Sequence, residues 1–138
     1  MTNSPTDLHA RLLAAVNARR ELAQAATVIG GKHWHFEPTE PDAADDQQGL
    51  IVDDAGWTIA AGYMNPDARA LVLDNDPAQI LRDTAHHLEI LAEHQPELLI
   101  SGNHGPVCHR CRDWEGYRLL MPCSEMFRLA GIYPEENE

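Results

Sequence analysis

The sequence predicts an α+β domain in which a small three-stranded antiparallel sheet is covered by helices. Three short segments between residues 32 and 61 have the composition and alternation of strands. The segments before and after them are longer, and they repeat their apolar residues at helical spacing. Consecutive strands flanked by helices are typical of the α+β class, because the apolar face of the sheet needs a cover.

The first helix is predicted to run from about residue 5 to residue 27. Ser4 can cap its N-terminus, and Pro5 suits the first helical position, where no backbone N–H is needed. Gly30-Gly31 ends the helix. Apolar residues at near-helical spacing predict its inner face, namely Leu8, Leu12, Ala15, Val16 and Leu22.

The first strand is predicted over residues 32–37, where apolar and polar side chains alternate. Trp34 and Phe36 point to one face, and His33 and His35 point to the other. We therefore expect the two aromatic side chains to be core residues and the two histidines to be exposed.

Two further strands, residues 49–52 and 57–61, complete the predicted sheet. Asp53-Asp54-Ala55-Gly56 lies between them and has the composition of a hairpin turn. Residues 39–48 are rich in acidic residues and are typical of a loop. Strands this close in sequence predict an antiparallel meander.

Two capped helices are predicted after the sheet. Asn65 caps a short helix that has proline at its first position and ends near Leu73. Asp76 caps a long helix that runs to about His94, because Pro96 disfavours helical backbone at the residue before it.

A last helix is predicted to begin at Pro122 and to end at Gly131. Cys123, Phe127 and Ala130 have the spacing of one helix face. We therefore expect these three side chains to point inward.

All three cysteines lie between positions 108 and 123, and Cys108 and Cys111 form a Cys-x-x-Cys pair. Zinc in a closed structural site is bound by four nitrogen or sulfur ligands, and three cysteines with one histidine are a standard set. With Cys123 as the third ligand, the fourth is a nearby histidine, either His94 or His104. The sequence thus predicts a structural zinc ion that ties the C-terminal region together.

We interpret the 138 residues as a single domain. In this interpretation the sheet and the first helix occupy residues 1–64. A helical, metal-binding part occupies residues 65–133, and residues 134–138 form a frayed tail.

Several short motifs follow one another in a recognisable order. They are Lys32-His33-Trp34, Asp76-Pro77-Ala78-Gln79-Ile80-Leu81, Leu91-Ala92-Glu93-His94, the Cys108–Cys111 pair and the helix from Pro122 to Ile132. In this order they resemble a family of small actinobacterial and actinophage proteins of unknown function, over roughly residues 67–132. The resemblance implies this architecture, His94 as the fourth metal ligand, and a phage or prophage context.

The front half of the chain is loosely similar to small phage accessory proteins that carry a Pro-Gly-Pro-Trp motif. Gly31-Lys32-His33-Trp34 departs from that motif. This similarity implies an accessory role in a phage context.

The net charge of −12 excludes two classes of function. General nucleic-acid binders and binders of anionic membranes both need a cationic surface. No apolar run reaches the roughly 18 residues that suggest a membrane span, and an odd number of cysteines does not fit a disulfide framework. We expect a reduced, soluble, cytoplasmic protein, in the host cytoplasm if the chain is phage-encoded.

Two groups of histidines offer other chemistry. His33 and His35 on one strand face are either metal ligands or a general-base pair, or a solvent-facing polar stripe. His86 and His87 are adjacent on the long helix and therefore do not face each other, so with Glu89 they cannot chelate a metal as His-Glu-x-x-His does.

Two charged clusters also stand out. The acidic residues can bind a cation, imitate a nucleic-acid backbone or form a solvated loop; they are Asp42, Asp45, Asp46, Asp53 and Asp54. Four arginines interleaved with Trp114 and Tyr117 could form a nucleic-acid surface; they are Arg110, Arg112, Arg118 and Arg128.

Three functions are consistent with these patterns. The first is a non-catalytic, zinc-stabilised accessory or interaction protein that acts on a host or phage protein. The second is a small metal-dependent enzyme that uses the histidines of the sheet face, and the third is a nucleic-acid-associated zinc module that uses the C-terminal arginines. A four-ligand site favours the first, because catalytic zinc keeps one position open for water.

Overall fold

The computed structural model of the chain describes residues 4–39, 48–63, 65–98 and 105–135, and these ranges contain four helices and six strands. The helices are α1 (Pro5–Ile29), α2 (Pro66–Leu73), α3 (Pro77–Glu93) and α4 (Ser124–Ile132). The strands are β1 (Trp34–Pro38), β2 (Gln48–Asp53), β3 (Thr58–Tyr63), β4 (Pro96–Glu97), β5 (Val107–Arg112) and β6 (Arg118–Leu120). The predicted α+β class with a three-stranded antiparallel sheet is confirmed.

A second sheet accompanies the predicted one. The first has the order β1-β2-β3 and the second has the order β4-β5-β6, and every neighbouring pair is antiparallel. The order helix, three strands, helix therefore occurs twice along the chain. Sequence patterns missed the second sheet because two of its strands have only two and three residues, too few to show alternation.

The chain divides into two compact units. The β1–β3 unit comprises Arg19–Asp83, and the β4–β6 unit comprises the residues up to Ala18 together with those from Thr84 onward. Helix α1 and helix α3 each contribute residues to both units. None of the helices in the described ranges is long and apolar enough to cross a membrane.

In the β1–β3 unit, Ile51 of the central strand pairs with Phe36 on one side and Ala60 on the other, and its side chain is fully buried. The exposed positions of His33 and His35 are as predicted. Trp34 and Phe36, however, are only half-buried, so the prediction that they are core residues was wrong. Strand β1 lies at the edge of its sheet, which leaves its inward side chains with neighbours on one side only.

The guanidinium of Arg69 covers part of that edge. Its Cζ lies 4.1 Å from the centroid of the Phe36 ring, a cation–π distance. The aromatic face that the core leaves open is thus partly shielded by a cation rather than by an apolar side chain.

The turn between β2 and β3 is organised by the buried carboxylate of Asp53. Its Oδ1 accepts hydrogen bonds from the N–H groups of Ala55 at 3.0 Å and Trp57 at 2.9 Å, and its Oδ2 accepts one from Gly31 at 3.0 Å. Burial raises the pKa of Asp53, but the backbone N–H bonds, led by that of Trp57, outweigh burial and leave the pKa lowered. Asp53 is therefore a structural residue and not part of a solvated acidic loop.

Of the other residues in the acidic cluster, the structure describes only Asp54. Asp54 is exposed, whereas Asp42, Asp45 and Asp46 lie outside the described residues. A Cβ at Gly31 would lie 2.8 Å from the backbone nitrogen of Asp54, which cannot move aside as an exposed side chain can. Glycine is thus required where the end of α1 meets this turn.

Side-chain caps set the starts of the first three helices as predicted. Ser4 Oγ accepts from Asp7 N–H at 3.1 Å, and Asn65 Oδ1 accepts from Ala68 N–H at 2.7 Å. Asp76 Oδ1 likewise accepts from the third residue of its helix at 2.9 Å. These contacts are local, which is why the sequence was enough to place the helices.

The core of the β4–β6 unit joins all three of its helical segments. It is lined by Leu12, Val16, Ile90, Leu91, Cys108, Met121, Cys123, Met126, Leu129 and Tyr133. Two polar contacts fix α1 in place: His9 Nε2 lies 2.8 Å from the carbonyl oxygen of Leu91, and Arg11 donates to that of Tyr133 at 2.9 Å.

The inner face of α4 differs from the prediction. Met126 and Leu129 are fully buried, whereas Phe127 is 64% exposed and Ala130 is half-buried. Cys123 is the N-cap, with extended backbone, so counting helical turns from it shifts the face by one residue.

Candidate metal centre

Four side chains from three parts of the β4–β6 unit converge on one point. His94 follows the end of α3, Cys108 and Cys111 lie on β5, and Cys123 is the N-cap of α4. Their ligand atoms all lie within 4.8 Å of one another, so this group could hold a metal ion.

The pairing of β4 with β5 brings the histidine to the cysteines. Pro96 pairs with Cys108, and His109 N–H donates to the carbonyl oxygen of Gln95 at 2.9 Å. Because Pro96 prevents α3 from continuing, the chain turns into β4 directly after His94. The imidazole is thereby delivered to the start of the Cys-x-x-Cys segment.

One ring nitrogen of His94 faces all three sulfurs. Its Nδ1 lies 3.3 Å from Cys108 Sγ, 3.3 Å from Cys111 Sγ and 3.6 Å from Cys123 Sγ. Around a tetrahedral zinc ion, nitrogen and sulfur ligands lie about 3.5 Å apart, given Zn–N and Zn–S bonds of about 2.0 and 2.3 Å. The three nitrogen–sulfur distances thus match those of a tetrahedral site.

The three thiols have unequal tendencies to ionise. Burial raises the pKa of Cys108, but the backbone N–H groups of Cys111 and Arg110 outweigh burial and leave that pKa lowered. The first of these N–H groups lies 3.4 Å from Cys108 Sγ. Backbone donors thus favour one thiolate at the start of the segment.

The other two thiols are held in the neutral form. Burial, followed by the nearby Cys108 and Cys123, raises the pKa of Cys111 to about 12. Burial also raises the pKa of Cys123, and the backbone N–H of Met126 offsets this only in part. The dipole at the N-terminus of α4 favours the Cys123 thiolate, but burial has the larger effect on its pKa. Three thiolates this close need a cation among them, as a bound metal would provide.

The site is enclosed by the protein. Cys108 is 0% exposed, Cys123 is 3% exposed and His94 is 8% exposed, whereas Cys111 is half-buried. Four protein donors complete a tetrahedral set, so the arrangement fits a structural ion rather than one that binds substrate.

Two other histidines of the β4–β6 unit, His109 and His87, lie outside the group of potential metal ligands. His109, inside the Cys-x-x-Cys pair, is exposed, and its Nδ1 lies 2.9 Å from Glu97 Oε2. His87 is buried against Tyr133, with its Nδ1 2.7 Å from the phenolic oxygen. His104, the alternative fourth ligand, lies outside the described residues.

The histidines of the first sheet have carboxylate partners. His35 Nε2 lies 3.0 Å from Glu37 Oε1, and His33 Nδ1 lies 4.0 Å from Asp76 Oδ2. Within the described residues, neither histidine belongs to a group of three or more potential metal ligands.

Two arginines of the cluster, Arg118 and Arg128, form close ion pairs, whereas Arg110 forms a loose one. Three ion pairs involve it, namely Arg110 with Glu93, Arg118 with Glu97, and Arg128 with Glu125. Arg112 instead donates to the carbonyl oxygens of His109 and Cys111, each at 3.0 Å. Sequence analysis did not single out Glu97, which joins Arg118 and His109 across the second sheet, because strand β4 was not predicted.

Comparisons of the chain with protein-family models, with curated proteins and with solved structures gave no match. The resemblance to actinobacterial and actinophage proteins stays a prediction.

Proposed function

We propose that this chain is a non-catalytic interaction protein whose β4–β6 unit is stabilised by a structural zinc ion. The observation that carries the proposal is the convergence of His94, Cys108, Cys111 and Cys123 within 4.8 Å. Three cysteines and one histidine are a standard closed zinc set, whereas catalytic zinc keeps a position for water or substrate.

The donor chemistry supports zinc over other common ions. Calcium and magnesium prefer oxygen ligands, and this group offers three sulfurs and one nitrogen. Zinc would neutralise the thiolates and link the end of α3, strand β5 and the start of α4.

The proposed biological role rests on the closed metal site, which cannot bind a substrate. A metal ion with four side-chain ligands has no free position for a substrate. We therefore assign the function to the protein surface, where a partner can bind. We propose that the protein is a phage- or prophage-related accessory protein that acts on a host or phage protein. Support for the phage context comes from the resemblance of residues 67–132 described above.

Metal analysis tests the zinc assignment. Protein prepared without added metal and without a metal-binding tag should carry about one zinc ion per chain. The Cys111→Ser variant should lose it, and His109→Ala should keep it, because His109 is exposed and points to Glu97. Little zinc in the wild type, together with freely titrating thiols, would contradict the proposal.

A further inference from the structure

We propose that the tip of the β5–β6 hairpin is a docking surface for an acidic, partly apolar segment of a partner protein. The tip is Asp113-Trp114-Glu115-Gly116-Tyr117, named here the aromatic tip. This inference rests on the proposed function as an interaction protein and names the surface that performs it.

The aromatic tip presents two large rings to solvent. Trp114 is 92% exposed and Tyr117 is 68% exposed. Tryptophan and tyrosine carry much of the binding energy in protein interfaces, because they bury large areas while ordering few rotatable bonds. An almost fully exposed tryptophan gains nothing for folding and is available for a partner.

The turn at the tip is also held together by its own hydrogen bonds. Asp113 Oδ1 accepts hydrogen bonds from the N–H groups of Glu115 and Tyr117, each at 2.9 Å. Asp113 N–H donates to the carbonyl oxygen of Tyr117 at 2.8 Å, and Gly116 supplies the positive φ of 89° that the turn needs. A partner therefore meets a preformed surface and pays little ordering entropy.

A second turn in the same chain shows that the tip does not need Trp114 for its shape. In the β2–β3 turn, Asp53 Oδ1 accepts from Ala55 and Trp57, and Gly56 has a φ of 90°. The bonds and the glycine match those of the aromatic tip, yet the second position there is Asp54. The indole of Trp114 is thus not explained by turn geometry, which favours a binding role.

Charge selects the kind of partner. The hairpin from residue 107 to residue 120 carries three arginines and two carboxylates, in a chain of net charge −12. The Arg110 side chain is 66% exposed and lies 3.9 Å from Glu93, a loose pair. Arg112 is exposed, and none of the carboxylates that the structure describes lies within ion-pair distance of it. Both guanidiniums can meet carboxylates of a partner.

The same charges disfavour a nucleic-acid strand at this surface. Single strands bind through several phosphates in a cationic groove as well as by stacking. Beside the rings, Arg112 has no carboxylate partner among the described residues and Arg110 has only the loose pair with Glu93, while Glu115 is exposed next to them. A peptide can instead present one or two carboxylates to the arginines and an apolar side chain to Trp114.

Peptide selection tests the proposal. A phage-displayed library of random short peptides is panned on zinc-loaded protein, and an enriched peptide is titrated into purified variants. We expect enriched sequences to combine Asp or Glu with an aromatic or aliphatic residue. Trp114→Asp, which installs the residue found in the other turn, should weaken binding at least about tenfold. Arg112→Gln should weaken it severalfold and reduce its salt dependence.

The controls separate this inference from the zinc assignment. Trp57→Ala removes the exposed tryptophan of the other turn and should leave the peptide affinity unchanged. Zinc content is measured on every sample: full zinc with equal peptide binding by wild type and Trp114→Asp would overturn the docking surface alone. Failure to enrich any peptide, or submicromolar binding of oligothymidylate that Trp114→Asp abolishes, would also overturn it. Wild-type protein without zinc would overturn the proposed function instead.

Discussion

At the scale of single residues, the carboxylate of Asp53 shows how one side chain fixes a turn and the end of a helix. Both of its oxygens accept backbone N–H bonds, from within the turn and from Gly31. An asparagine can offer only one oxygen and would turn its amide N–H₂ toward a donor. The negative charge and both acceptors are therefore needed together.

Asp53→Asn should lower the melting temperature and loosen the β2–β3 turn, whereas Asp54→Asn should have little effect, because Asp54 is exposed.

The wild-type protein should also lose stability in acid. The lowered pKa of Asp53 means that its stabilisation is complete above its unfolded value near 3.8 and is lost as pH falls through the folded value. Thermal unfolding against pH would show this; equal acid sensitivity of wild type and Asp53→Asn would contradict it.

A buried polar pair links α3 to the residue after α4. Tyr133→Phe removes the hydroxyl that lies 2.7 Å from His87 Nδ1, so it should cost about 1 kcal/mol of unfolding free energy. Tyr117→Phe is the matched control, since that ring is 68% exposed and its loss of a hydroxyl should be nearly silent. Chemical denaturation measures both, and equal stabilities would argue against the pair.

At the scale of elements, α4 offers the sharpest test of packing. Leu129→Ala should cost about 2–5 kcal/mol, because this side chain is fully buried in the core of the β4–β6 unit. Phe127→Ala, two residues earlier on the same helix, should cost less than about 0.5 kcal/mol, because the ring is 64% exposed. If Phe127→Ala were the more destabilising of the two, the inner face predicted from the sequence spacing would be correct instead.

Elements with local signals were predictable from sequence. Helices α1, α2 and α3 begin at side chains that cap their own first turn, so a few neighbouring residues specify each start. Strand β4 has two residues and exists only because it pairs with β5. A long-range contact of this kind leaves no periodic trace, which is also why Trp34 at a sheet edge could not be told from a core tryptophan.

The group of potential metal ligands was predictable for a different reason. Its three cysteines are chemically distinctive and lie close together in sequence, whereas the histidine had to be chosen among several. From the residues alone, His94 and His104 stayed equivalent candidates. The pairing of Pro96 with Cys108, which places His94 beside the sulfurs, is a property of the fold.

At the scale of the whole molecule, the two units should respond differently to loss of metal. Zinc affinity in such a site is partly folding free energy, because the ligands converge only in the folded state. A chelator should therefore speed amide exchange over residues 105–132 and leave the β1–β3 unit protected. Affinity should also fall in acid, since the thiolates must lose protons before they bind the ion.

Hydrogen exchange with and without chelator measures this response. Cys111→Ser should reproduce the chelated pattern without chelator, and His109→Ala should resemble the untreated wild type. Equal protection of residues 105–132 in both wild-type samples would mean that the ion does not stabilise this unit.

The split of α1 between the units sets an order in time during synthesis. The β1–β3 unit uses a continuous stretch of chain, and its strands are neighbours in sequence, so it can form as soon as residue 83 has left the ribosome. Leu12 and Val16 precede the β1–β3 unit in sequence, and they share a core with Met126 and Leu129, which follow it. During synthesis, the apolar face of α1 at Leu12 and Val16 therefore stays exposed to solvent until residues 126–129 have also left the ribosome.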